Sequence, residues 1–335
     1  MKKVGRVLLY VLGSLLVLLI LGITFTIGWR PFIGPRARDV TSRQFERTAE
    51  RVARGHYLVT SVAGCETCHT PKDWQTHGAP GVQGMHLAGQ IIPLPELPGQ
   101  VVASNLTPDP GTGAANWTDD QIARTIREGI GHDGRAIFPM MPYQAYRNIS
   151  DEDVASIVVY LRSIPAVRNP LPHTRLNFPV NYLIRNAPQP VTSPVSGPDP
   201  NDIVQRGKYL ATMGCGCHIP ADRGEAIAGM LYGGGEVLTG PWGSATSANI
   251  TQDATGISYY DEAKFISVLR TGYVGARKLN SIMPFGEFQN LTDDDLKAIF
   301  AFLNSVPPVK HRVDNSLPIT YCKLCRQKHG AGDQN

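Results

Sequence analysis

Charge is scarce in this sequence. Of its 335 residues 18% are charged, and the net charge is +4, which offers a polyanion little to hold and argues against nucleic acid as a partner. There is no glycine-rich phosphate loop and no grouping of acids and bases, so nothing points to nucleotide binding or to acid–base catalysis. No stretch argues for a sheet. An N-terminal apolar run is present, but no A-x-A pattern comes after it, so the main mark of a cleaved signal peptide is missing.

That run is the first informative feature. Lys2, Lys3 and Arg6 precede Val7 to Ile27, 21 residues without a charge. At about 1.5 Å per helical residue the run spans about 30 Å, the thickness of a bilayer's hydrocarbon core. Trp29 suits the headgroup interface, and the basic flank places the rest of the chain outside the cytoplasm. An uncleaved membrane anchor is the expectation. With 34 glycines and 26 prolines, loops make up much of the chain beyond the anchor.

The exported part contains a repeat. "RGHYLVT" (54–60) returns as "RGKYLAT" (206–212), and "SNLTPDPGTG" (104–113) as "ANITQDATG" (248–256). "MMPYQAYRNISDEDVASIVVYLRSIPAV" (140–167) returns as "IMPFGEFQNLTDDDLKAIFAFLNSVPPV" (282–309). Ser150 and Thr292 read as helix N-caps, with Asp153 and Asp295 three residues on. The apolar residues Val154, Ile157, Val158 and Leu161, and then Leu296, Ile299, Phe300 and Leu303, recur at helical spacing up to Pro165 and Pro307. Asp119–Glu128 and Asp261–Arg270 also read as amphipathic helices. Proline-rich residues 171–203 fit a stiff linker between the copies.

"CETCH" (65–69) has the spacing of covalent haem attachment. Cys65 and Cys68 lie on one face of a helical turn, where they can add to two vinyl groups, and His69 can turn under the ring to the iron. A redox CxxC pair or half a zinc site has the same spacing. A methionine before proline recurs in both copies, Met141 and Met283, with Met140 as an alternative in the first. A distal methionine opposite a histidine closes the iron to substrate and raises its potential, which is electron-transfer chemistry.

The second copy reads "CGCH" (215–218). Aligning His218 with His69 puts Cys217 on Cys68 and Gly214 on Cys65, so the first thiol is displaced. Tyr209 to His218 is three residues shorter than Tyr57 to His69, as if the preceding helix had lost a turn. Haem held by Cys217 and His218, with or without Cys215, is the main reading. Structural or paired cysteines without haem, or another metal, are the alternatives.

With these stretches the chain resembles the membrane-anchored class I multihaem cytochromes c, especially the cytochrome c subunits of alcohol and aldehyde dehydrogenases. The resemblance covers roughly residues 53–170 and 205–310. It implies a mainly α fold, with a transmembrane anchor (1–30) and linker (31–52) ahead of the first haem domain (53–170). The proline-rich linker (171–203), a second haem domain (204–312) and a tail (313–335) come next. Two haems c are expected, with His69 and Met141 on one iron and His218 and Met283 on the other. Cys65, Cys68 and Cys217 would anchor the rings, with Cys215 open. The expected role is electron transfer at the periplasmic face of the inner membrane. Electrons would pass from a dehydrogenase or quinol-oxidising complex to a terminal oxidase or soluble carrier. A dihaem enzyme of the peroxidase or thiosulfate-oxidising type, with one open haem, is the alternative.

In the tail, Cys322 and Cys325 have haem spacing, but Arg326 stands where histidine is needed. A small disulfide is expected there ahead of a metal clip with His329. His56, His77, His86, His132, His173 and His311 are given no ligand role. Trp117, Trp242, Asn105 and Asn249 are either haem contacts or packing and turn residues.

Overall fold

The computed structural model describes residues 2–222 and 224–335; Met1, at the head of the expected anchor, and Arg223 lie outside them. Helix α1 (Lys2–Phe25) is long and apolar enough to cross a membrane from Lys3 on, and none of that stretch is buried against the rest of the chain. The short α2 (Arg30–Ile33) comes next. The first repeat then contains α3 (Ala49–Tyr57), a π-helical turn at Leu58–Val62, α4 (Cys65–His69), α5 (Asp119–Glu128), α6 (Tyr143–Tyr146) and α7 (Asp151–Ser163). After α8 (Val180–Leu183), the second repeat supplies α9 (Ile203–Gly214), α10 (Glu262–Thr271), α11 (Phe285–Phe288) and α12 (Asp293–Ser305). The expected helices are therefore present within a residue of their expected bounds. Short strands are an addition to the mainly α expectation. Those among the described residues form six antiparallel pairs of two to four residues each, which are loop clasps rather than a sheet.

The caps explain the boundaries. The Ser150 and Thr292 hydroxyls accept hydrogen bonds from the Asp153 and Asp295 amides. Three acidic residues in each first turn complement the helix dipole. Helices α5 and α10 end at glycines with φ of 73° and 72°. There a side chain would meet the ring of Tyr143 or Phe285.

Each repeat is built on one helix crossing, α3 on α7 and α9 on α12. The crossings are tight because Gly55 and Gly207 sit at them. A Cβ at Gly55 would lie 2.0 Å from the Ser156 carbonyl oxygen, and one at Gly207 1.8 Å from that of Ala298. Val154, Ile157, Val158 and Leu161 of α7 and Leu296, Ile299 and Leu303 of α12 are buried against these crossings. Each is worth about 1.5–3 kcal/mol in removal from water.

The two repeats share a continuous apolar core, and a reciprocal polar lock joins them. Asp153 takes a bidentate ion pair from Arg54 of its own repeat (2.7 and 2.8 Å) and the Tyr209 hydroxyl of the other (2.7 Å). Asp295 likewise takes Arg206 (2.7 Å) and Tyr57 (2.5 Å). Each tyrosine oxygen also accepts the N-cap amide of the opposite repeat, Ser150 or Thr292. The capping aspartates thus turn their carboxylates away from their own caps and into the seam.

The proline-rich segment is not a free spacer. Arg175–Leu176 pairs with Gly99–Gln100 of the first repeat. Arg185 and Asn186 donate to the carbonyls of Pro31 and Ile27, which fastens the segment to the chain just past α1. At the C-terminus Ile319–Tyr321 and Lys328–Gly330 form a hairpin. Cys322 and Cys325 at its turn are free thiols, which corrects the expected disulfide.

Gly207→Ala should cost about 3 kcal/mol or more, because the clash is with backbone that cannot yield. Gly197→Ala, whose Cβ would meet only the Ser150 Cβ at 3.9 Å, should be near neutral. Thermal unfolding tracked by circular dichroism in detergent checks both; equal melting temperatures would contradict the crossing as a constraint.

Candidate haem-binding site

In the first repeat the α3 helix runs on through the π-helical turn to Ala63. Gly64, at φ 58°, then reverses the chain into α4. This places Cys65, Cys68 and His69 in the wall of a cavity of about 570 Å³, within the range of cofactor pockets. Leu106, Trp117, Ile126, Phe138, Ile157 and Leu161 supply its apolar lining, and Met140 and Met141 face it from the loop before α6. The His69 Nδ1 atom lies 2.7 Å from the Ser104 carbonyl. A carbonyl can only accept, so Nδ1 carries the proton and Nε2 is the free lone pair. Burial holds the imidazole below its ordinary pKa, so it stays neutral.

Burial also pushes the Cys65 and Cys68 thiols up to about 12. A reactive redox pair needs the opposite shift, whereas a thioether sulfur carries no charge and tolerates the site. The cavity, the neutral histidine and the uncharged sulfurs fit a covalently attached haem.

The second repeat reproduces the backbone setting of the candidate histidine and methionine, each taken by itself. The His218 Nδ1 is 2.7 Å from the Ala248 carbonyl, the counterpart of Ser104, and burial again lowers its pKa. In both methionine loops the methionine amide donates to the residue three before it, Phe138 or Asn280. The methionine carbonyl in turn accepts from the residue two on, Tyr143 or Phe285. Pro142 and Pro284 have φ, ψ of −80°, 44° and −79°, 48°. Ile250, Tyr260 and Met283 pack on the core as Leu106, Trp117 and Met141 do.

The attachment turns differ. Helix α9 runs unbroken to Gly214, and a single 3-10 turn, Gly216–His218, replaces α4. The preceding helix is therefore not the part that is shortened; the three missing residues come from the thiol-bearing turn itself. Cys215 packs on the core and its sulfur adds to the burial that raises the Tyr232 hydroxyl. Cys217 is exposed.

Asn105 and Asn249 are turn residues. Each side-chain oxygen accepts from the threonine two residues on, and each amide donates to the Val167 or Val309 carbonyl. Trp117 lines the cavity and stacks on His132 at 4.4 Å, whereas Trp242 packs on Trp74. Gly34, Pro35, Asn181, Ile184 and Arg185 also wall the cavity. Motif reading misses these because they lie outside the repeat.

The family described as cytochrome C oxidase, cbb3-type, subunit III matches residues 50–161. The chain is 30% identical over 269 residues to the fructose dehydrogenase cytochrome subunit of Gluconobacter japonicus, covering 76% of this chain and 52% of that one. The first repeat is a cytochrome c domain. The chain is also 27% identical to the cytochrome c subunit of the quinone alcohol dehydrogenase of Gluconobacter oxydans, covering 77% of this chain and 55% of that one. A diheme cytochrome c-type protein of Cereibacter sphaeroides is 28% identical, with coverage of 74% and 83%. The chain spans about half the length of the two dehydrogenase subunits.

The second repeat's α11 reaches back to the first attachment turn. The buried Glu287 pairs with Lys72 at 2.8 Å and accepts from the Thr67 hydroxyl. Burial raises the Glu287 carboxyl, and Lys72 opposes that rise. In Lys72→Met the opposition is gone, so the pKa climbs further. A carboxyl raised on folding stabilises below its unfolded pKa, and that stability is lost as pH rises through the folded value. Lys72→Met should therefore melt progressively below the parent from pH 5 to 8, by about 3–5 kcal/mol at the upper end. Lys72→Met/Glu287→Gln should lose that pH dependence, and melting curves parallel to the parent's would contradict the pairing.

Proposed function

We propose that this chain is a membrane-anchored dihaem cytochrome c that moves electrons out of a dehydrogenase or quinol-oxidising complex to a terminal oxidase or soluble carrier. The observation that carries this reading is the duplicated ligand geometry. Each histidine is oriented by a backbone carbonyl and kept neutral by burial, with Nε2 free, and each methionine sits in the same proline-fixed loop. The dehydrogenase subunits and the diheme protein among its relatives support the same role.

In this reading Cys65 and Cys68 attach the first haem, and His69 and Met141 ligate its iron. Cys217 alone attaches the second, between His218 and Met283, while Cys215 stays turned to the interior. A haem ligated by histidine and methionine has no open position and exchanges single electrons at a raised potential. The protein's part is to fix those ligands and exclude water. Ser104 and Ala248 orient the imidazoles. Tyr146 donates to the Ala63 carbonyl at 2.6 Å, which ties the methionine side of the first site to its attachment turn.

We further read α1 as an anchor in the inner membrane, with the N-terminus cytoplasmic and both haem repeats in the periplasm. Lys3 and Arg6 flank its start. Beyond its end Phe32, Ile33 and Phe178 are exposed, as residues facing a lipid interface would be.

A redox titration of the detergent-solubilised chain should resolve two one-electron steps. Met141→His should lower one step and Met283→His the other, because methionine is the ligand that raises the potential. Both steps unmoved in Met283→His would sink the second assignment.

A further inference from the structure

His311, Cys322, Cys325 and His329 converge at the C-terminal hairpin. Their ligand atoms all lie within 4.8 Å of one another, and all four side chains are buried. The His311 and His329 Nε2 atoms are 3.3 Å apart. Cys322 Sγ is 3.4 Å from His311 Nε2, and Cys325 Sγ is 3.2 Å from His329 Nε2. Both Nδ1 atoms face backbone carbonyls, of Gly233 and Gly330, at 2.7 and 2.6 Å. Both histidines therefore aim a free Nε2 at the same point as the sulfurs.

We propose that these four residues bind a structural zinc ion that fastens the C-terminal tail to the second repeat. A tetrahedral ion with bonds of about 2.0 Å to nitrogen and 2.3 Å to sulfur sets its nitrogens about 3.3 Å apart, and nitrogen and sulfur about 3.5 Å apart. The three close separations match that pattern within about 0.3 Å, and the remaining pairs lie within 4.8 Å. A two-iron centre with the same residues would place both sulfurs on one iron and both imidazoles on the other. The two short cysteine–histidine distances favour one shared ion instead. The turn is also shaped for a metal. Arg326, at φ 58°, curls the chain behind Cys325, the Cys322 amide donates to the Gln327 carbonyl, and the Asn335 amide donates to Cys322 Sγ at 2.8 Å.

The first repeat has a counterpart of part of this site. His311 occupies the position of Asn169 in the first copy. Both backbone amides donate to the matching threonine, Thr112 or Thr255. The Asn169 side chain donates to the Ala88 and Gly89 carbonyls, and His311 donates to Gly233, the counterpart of Ala88. The histidine keeps that bond and adds a second ring nitrogen for the ion. Gly234, next along, donates to the His218 carbonyl, so the ion is two residues of backbone away from the second attachment turn.

The test uses the full haem-loaded chain, purified from membranes without chelators. Metal analysis should find one zinc per chain beside the haem iron, and zinc-edge X-ray absorption should show two sulfur and two nitrogen neighbours. His311→Asn/His329→Ala, which restores the first repeat's asparagine, should lose the zinc and keep the haem absorbance. Three results would overturn the proposal: no zinc together with a Cys322–Cys325 disulfide in a non-reducing peptide map, iron in place of zinc, or zinc without sulfur ligands. If the variant fails to accumulate, the absorption spectrum of the parent chain decides.

Discussion

The frame of each repeat depends on a close helix crossing at a glycine. With no side chain at Gly55 or Gly207, the backbones of α3 and α9 lie directly on α7 and α12. Two residues further along, Tyr57 and Tyr209 then arrive at the N-terminus of the opposite repeat's last helix. A dozen or fewer residues further still, each chain reaches its attachment histidine. A side chain at either crossing would push the tyrosine out of the lock and the histidine away from its carbonyl. Seam and ligand geometry therefore share one origin.

The surroundings of this common frame are not duplicated. The first repeat has its cavity walled by Pro35 and by Asn181, Ile184 and Arg185 of the proline-rich crossing, segments the second repeat has no copy of. The second repeat has instead the cysteine-bearing hairpin, held through His311. Its attachment turn is three residues shorter and has one thiol beside the histidine. In the proposed reading, a metal-held tail would lie next to the turn with a single thioether.

Much of the fold is legible in the sequence because it is local. Helix caps and apolar periodicity depend on a few adjacent residues and are found at their expected places, and Cys65, Cys68, His69 and Met141 line one cavity. Contact between distant segments is the part the sequence hides. Asp153 reads as the third residue of a capping motif, yet its carboxylate belongs to Arg54 and Tyr209. Glu287 reads as one more acid on a short helix, yet it is buried against Thr67 and Lys72. His311 stands 11 residues before Cys322 and outside the hairpin, so no spacing rule links them; its substitution for Asn169 in the repeat is the available signal. The shortening of the second site is visible as a count, but only the structure places it in the thiol-bearing turn rather than in α9.

Everything proposed for electron transfer depends on both repeats holding haem, the second through Cys217. The mass of the mature chain after acid extraction of non-covalent haem, read with the iron content before extraction, tests it directly. Two haems added and two irons per chain are expected, with a peptide map placing one haem at Cys65 and Cys68 and the other at Cys217. One haem added and one iron per chain would contradict it.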